Sequence, residues 1–355
     1  MADVAEAESM GTAGSPSAAP YKPSWVNLVI RRIERLPGPA WLAYLILASV
    51  GILTSVPEAL SRQASGNDLI NAVYYGALPG AIFFLIHHLD GTTADAIRGL
   101  RPLLAMGDEE VEDLGYRLTI IPARPAMIAA VISMVLGPLG YLTDPVGSGI
   151  VGLEPWALGL RYFWETMISA SFLLLIFHTY RQLRLIDQLH HQITTVDLFD
   201  QAPLYRVSRV TSQTAVGLIL LLVPGVFLIP AGAGASTILL SLAWYGAAVL
   251  VAIAAFVLPL RGMHVLVMAE KRRLAAETGR RITITLNQIH AAVDAGDGET
   301  IGARNGALST LIAQRDLVAR VPTWPWSTGS LTGFVSAILL PIALFLIQRV
   351  LTQIV

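Results

Sequence analysis

TILLSLAWYGAAVLVAIAAFVLPL, residues 237–260, runs for 24 residues without a charged side chain. A helix rises about 1.5 Å per residue, so a stretch of this length spans the roughly 30 Å hydrocarbon core of a bilayer. Six further blocks are predominantly apolar over a similar length: residues 40–60, 69–89, 123–142, 157–179, 210–230 and 330–351. The fifth in chain order, 210–230, is the weakest, because Thr211, Ser212, Gln213 and Thr214 open it and the apolar run starts at Ala215. The expected fold class is therefore all-α, a polytopic membrane protein of about seven transmembrane helices with a cytoplasmic helical bundle.

Composition agrees. Apolar residues make up 54% of the 355 and charged residues 14%, against roughly 25% charged in an ordinary soluble domain. Ten-residue units of alternating polarity are absent, which argues against a barrel. The first block begins at residue 40 and nothing after it reads as a cleavage site, so it is not expected to be a signal peptide.

Basic residues set the expected orientation, since cytoplasmic loops hold the excess of Lys and Arg. With the N-terminus inside and the C-terminus out, 21 of the 24 Lys and Arg residues fall on the cytoplasmic side. Only Arg62, Arg161 and Arg349 fall towards the other. Trp25, Trp41, Trp156, Trp324 and Trp326 sit near block ends, where interfacial indoles concentrate. The high Arg-to-Lys ratio and the Ala content suit a prokaryotic inner (cytoplasmic) membrane.

Residues 1–23 read as a disordered tail rich in Ala, Ser, Gly, Pro and Glu. Residues 24–39 read as an interfacial amphipathic helix with Trp25, Val29, Ile33 and Leu36 on one face, a plain linker being the alternative. Residues 40–355 hold the spans, with cytoplasmic extensions at 90–122, 180–209 and 261–328. Leu183, Ile186, Leu189, Ile193 and Val196 extend the fourth span at helical spacing. Ile282, Leu286, Ile289 and Val293 form another stripe, and Ile301, Leu308, Leu311 and Val318 a third. Ile282, Leu286 and Ile289 are the candidate oligomer contacts.

Glu165 is the singled-out acid. It lies nine positions after Trp156, about 13 Å along a helix, and an intramembrane carboxylate is a functional candidate by default. Arg161, four residues earlier, can pair with it, so a structural clamp is the competing reading. Pro79, Pro224 with Gly225, and Pro341 are hinge candidates, because proline removes a helix hydrogen bond. Pro322 to Trp326 reads as an anchored elbow before the last span.

Absent motifs exclude classes. There is no HExxH, P-loop or Gly-x-Ser-x-Gly elbow, and Lys22 and Lys271 lie outside the blocks, so no retinal Schiff base is available. The chain lacks cysteine and has a net charge of −1, which gives no thiol chemistry and no case for nucleic acid. No enzyme activity, cofactor or metal site is expected. The adjacent histidine pairs His87-His88 and His190-His191 point in different directions on a helix.

Seven spans with the N-terminus inside, cytoplasmic continuations of the fourth and sixth, and a cytoplasmic helix before the seventh resemble the layout of the insect odorant and gustatory receptor channels and their distant seven-helix relatives. Of that family's C-terminal motif, Gln348 is present, with Pro341 and Ile342 at the positions of the Thr-Tyr pair. The resemblance implies a homo-oligomer, a tetramer favoured, with Ser330, Thr332, Ser336 and Gln348 facing a central cation pore. It implies ligand contacts around Tyr74, Tyr75, Trp164 and Glu165. The expected function is thus an oligomeric channel-like or receptor-like protein contacting membrane lipid. Two alternatives stay open: a scaffold docking a cytoplasmic protein partner, and a cation-coupled transporter using Glu165.

Overall fold

The structure, a computed structural model, describes residues 19–61, 66–143, 151–193, 196–222, 224–225 and 235–354. These form eleven α-helices and, among the described residues, no strand. In chain order they are α1 (Trp25–Glu34), α2 (Ala40–Ser61), α3 (Gly66–Leu100), α4 (Asp108–Thr119), α5 (Ala123–Thr143) and α6 (Pro155–Gln188). Then follow α7 (Ala202–Leu222), α8 (Ala235–Val257), α9 (Arg261–Ala295), α10 (Gly298–Arg320) and α11 (Thr328–Ile354).

Three helical stretches among the described residues are long and apolar enough to cross a membrane: Leu69–Leu103, Pro155–Gln192 and Gly246–Ala295. Shorter apolar helices cover Ala40–Val56, Ala123–Val135 and Thr328–Leu344. The helix of the weak fifth block, α7, is not among these, and its first half carries Arg206, Ser208, Arg209, Thr211 and Ser212.

α2 and α3 pack backbone to backbone. A Cβ built on Gly51 would lie 2.0 Å from the carbonyl oxygen of Gly76, and one on Gly80 would lie 2.6 Å from that of Tyr44. Small residues at such spacings let membrane helices approach closely. Pro79 sits inside α3 and Pro341 inside α11 without interrupting either helix. Pro224 and Gly225 form a short turn after α7.

Two elements differ from the sequence reading in detail. α1 buries Val26, Asn27 and Ile30, while Val29 and Leu36 are exposed. The reason is polar: Ser24 caps the helix and donates its N–H to Ile121 O (2.9 Å), while Ile121 N–H donates to Asn27 Oδ1 (2.9 Å). These bonds tie α1 to the α4–α5 junction and rotate it. The continuation of the fourth block also stops early. α6 ends at Gln188, a tight turn follows over Leu189–Gln192, and Ile193 pairs instead with Leu104. Ile193 is β-branched, which favours the extended backbone it adopts there.

α9 and α10 form a long hairpin. Gly296, at φ +71, ends α9, and Asp297 caps α10 by accepting Thr300 N–H at 3.1 Å. A left-handed residue after a helix is most often glycine, which has no Cβ to clash. Thr278, Thr285 and Ala292 are buried along α9, and Ile282 and Ile289 half-buried between them. This alternation of four and three residues keeps one face on α10, whose least exposed apolar side chains are Ile301, Leu308, Leu311 and Val318. Leu286 is exposed, as are Ile284 and Val293.

The elbow holds a ladder of rings. His264 stacks on Trp324 (centroids 4.2 Å apart), Trp324 on Trp326 (4.6 Å), Trp326 on Phe256 (5.4 Å) and Phe256 on Phe334 (4.4 Å). The ladder joins α8, α9 and α11.

Candidate functional site

The apolar core divides into two clusters. One gathers α1, α2, α5 and the Leu78–Leu89 part of α3; the other gathers α8, α9 and residues Ala96, Ile97 and Leu100 of α3. On α3 the junction falls at Asp90 and Thr93. On α6 it falls at His178, Thr179 and Gln182, between Leu175 of the first cluster and Ile186 of the second. α7 supplies Ser208, Thr211 and Thr214, all buried. Thr92 donates to Gln213 Oε1 at 2.7 Å, which fixes α3 and α7 at this level.

The centre of this layer is an ionisable pair. His178 Nε2 and Asp90 Oδ1 are 2.6 Å apart, with the imidazole 1% and the carboxylate 13% exposed. With Nε2 donating to the carboxylate, His178 Nδ1 has no partner among the described residues. Thr93 Oγ1, Thr179 Oγ1, Gln182 Oε1 and Thr214 Oγ1 are likewise buried without partners. Buried polar atoms are paired in the large majority of cases, so five orphans in one layer require a reason.

A second relay begins one turn away on α3. His87 Nδ1 lies 2.8 Å from Tyr44 Oη and its Nε2 3.2 Å from Glu34 Oε1. In the neutral ring with Nε2 protonated, Tyr44 donates to Nδ1 and Nε2–H donates to Glu34. The three-residue step from His87 to Asp90 sets the two relays on one side of α3.

The sequence-predicted candidates lie elsewhere. Arg161 Nε and Glu165 Oε1 are 4.0 Å apart on α6, 25% and 40% exposed, so the carboxylate is not enclosed. Tyr75 of α3 comes within electrostatic reach of Glu165. Tyr74 packs on Tyr75 and donates to Leu221 O at 2.6 Å, linking α3 to the end of α7 just before Pro224. Trp164 is buried against Phe163, and its Nε1–H has no partner among the described residues. Arg161, Glu165, Trp164 and the two tyrosines thus form one neighbourhood of α3 and α6, distinct from the Asp90–His178 layer. Ser336 is exposed on α11; the side chain of Gln348 lies outside the described residues.

Asp90 and His178 were not among the site residues expected from the sequence. The available signal was topological: each sits at the same end of its block, and blocks two and four run in the same direction. Outside the apolar helices, Tyr21 donates to Ile120 O (2.9 Å) and receives a hydrogen bond from Arg181 (2.6 Å). Burial pushes the Tyr21 phenol above its ordinary pKa, against the lowering effect of Arg181.

Compared with known proteins, the chain matches no protein-family model, no curated protein and no solved structure.

Proposed function

We propose that the chain is a seven-span integral membrane protein of the channel or receptor type, with its N-terminus in the cytoplasm. Its responsive element is the Asp90–His178 layer. In this reading α2, α3, α5, α6, α7, α8 and α11 cross the bilayer. The end that carries α1, α4 and the α9–α10 hairpin faces the cytoplasm, in keeping with its arginines.

The observation that carries the reading is the buried imidazole–carboxylate pair among orphaned hydroxyls. Taking two ionisable groups out of water costs several kcal/mol per ion unless they are well paired. A purely structural bundle gains more from apolar packing at that level. Ionisable groups inside membrane bundles mark ion or proton paths. Protonation of such a pair changes the charge of the layer and biases the packing of α3 against α6. α11, at the side of the bundle against α7, exposes Ser336 and a broad apolar face, which suits a helix covered by a second copy.

Reconstitution into planar bilayers tests this. Wild type is expected to give currents that respond to pH, and Asp90→Asn and His178→Gln to fix the response at one level. Silence of the wild type at every pH removes the channel reading. Normal pH response in both variants removes the pair from the mechanism.

A docking role is favoured by one further observation. A 650 Å³ cavity between α4 and α6 presents Glu109, Glu110 and Asp113, with Arg117 bonded to Asp113 at 2.8 Å. That surface suits a basic segment of a cytoplasmic protein. Charge reversal at Glu109 and Glu110 should release such a partner from native membranes.

A further inference from the structure

An open cavity of 760 Å³ lies between α2, α3 and α7 at the basic end of the bundle. Its lining divides by chemistry. Trp41, Tyr44 and Phe84 form an aromatic wall, with Trp41 54% and Phe84 45% exposed. The opposite wall carries Arg98, Arg206 and Arg209. Asp95 is the one carboxylate among the lining residues, and Arg98 is bonded to it. Arg206 and Arg209 have no carboxylate partner among the described residues.

Arg206 also lies close along α3. Its side chain crosses α3 where Gly99 lacks a Cβ: one built there would lie 2.4 Å from Arg206 Cδ and 2.5 Å from Nη1. Here two guanidiniums, three residues apart on α7, converge on a cavity whose other wall is aromatic. Guanidinium presents a planar fork of donors that fits phosphate oxygens. Aromatic side chains with one polar edge settle at the level where acyl chain meets headgroup.

We propose that this cavity binds the phosphate headgroup of an anionic phospholipid. Arg206 and Arg209 engage the phosphate, while Trp41 and Phe84 lie against the glycerol and upper acyl chain. The proposal rests on the membrane reading above but not on channel activity. Basic pockets between spans on the cytoplasmic side are suited to anionic headgroups, each nearby arginine adding to the attraction.

Native mass spectrometry of the full chain, released from nanodiscs of equal phosphatidylglycerol and phosphatidylcholine, tests it. Wild type should retain phosphatidylglycerol over phosphatidylcholine by about fivefold or more. The Arg206→Gln/Arg209→Gln double variant should retain the two equally. Gly99→Val, which displaces Arg206 without changing charge, should fall between. Preference for phosphatidylglycerol in the double variant equal to that of wild type overturns the proposal. Full displacement of the lipid by millimolar inorganic phosphate would assign the site to a soluble phosphate compound and overturn the lipid. Failure of the chain to partition into the membrane fraction would instead defeat the membrane reading, and is told apart before any lipid is weighed.

Discussion

Asp90 and His178 are 88 positions apart in the chain, yet their side chains meet at 2.6 Å where two apolar clusters adjoin. Neither cluster contains the pair, so its removal is felt by both. Asp90→Ala leaves a buried imidazole without its acceptor and should cost about 3 kcal/mol or more. Asp90→Asn keeps an acceptor and should cost about 1 kcal/mol. Thermal unfolding in detergent, followed by circular dichroism, ranks the two.

The approach of Gly51 to Gly76 leaves no room for a methyl group. Gly51→Val should destabilise the α2–α3 pair by about 3 kcal/mol, because backbone rather than a flexible side chain must yield. The same substitution at Gly91, where a Cβ would meet nothing within 4 Å, should be tolerated. Comparing the yield of folded protein and the melting temperature of the two variants checks this.

Trp326 lies between Trp324 and Phe256 in the ring ladder. Trp326→Ala should cost about 2 kcal/mol from lost burial and stacking. Trp326→Phe should restore roughly half of it. Hydrogen exchange along the C-terminal part of α10 should rise in the alanine variant, and unchanged exchange would show that the ladder does not hold the elbow.

Assembly can be tested on side chains that α10 does not cover. Ile284, Leu286 and Val293 are exposed, whereas Ile282 and Ile289 are partly spent on the hairpin itself. Changing Ile284, Leu286 and Val293 together to Asp should convert an oligomer to monomers without unfolding the hairpin. Native mass spectrometry reads the outcome, and an intact oligomer would place the interface elsewhere.

Asp297 has its carboxyl pKa lowered by the hydrogen bonds from Thr300. A group whose pKa is depressed on folding stabilises the fold above its unfolded pKa, about 3.9 for Asp, and loses that contribution as pH falls through the folded value. The first turn of α10 should therefore fray below about pH 4. Hydrogen exchange corrected for intrinsic rates should show protection lost there in wild type. Asp297→Asn, which still accepts a hydrogen bond but does not titrate, should show no such change.

Helix positions were legible because apolar blocks of spanning length leave few alternatives, and every expected block is helical over most of its described residues. The α10 stripe was legible for a related reason: its residues recur at helical spacing and face a single partner. Local polar bonding was not. Ser24 and Asn27 turn α1 by bonding to Thr119 and Ile121, nearly a hundred positions away, and no periodicity encodes that. The Asp90–His178 layer was half legible: the topology sets both residues at one level, but their lateral meeting depends on how α3 and α6 rotate against each other. Glu165 drew attention as a lone acid in an apolar run, while the pair that is enclosed sits at the block ends, where charge is commonplace.

α9 follows α8 with only the Leu258–Leu260 turn between them, and the rings from His264 to Phe334 clamp that junction to α11. The hairpin is thus a lever with its fulcrum at the elbow. A twist applied to its distal turn, more than 50 Å of helix away at about 1.5 Å per residue over the 35 residues of α9, reaches α8 and α11 as a single yoke. Neither of those helices can answer a force at that turn without the other.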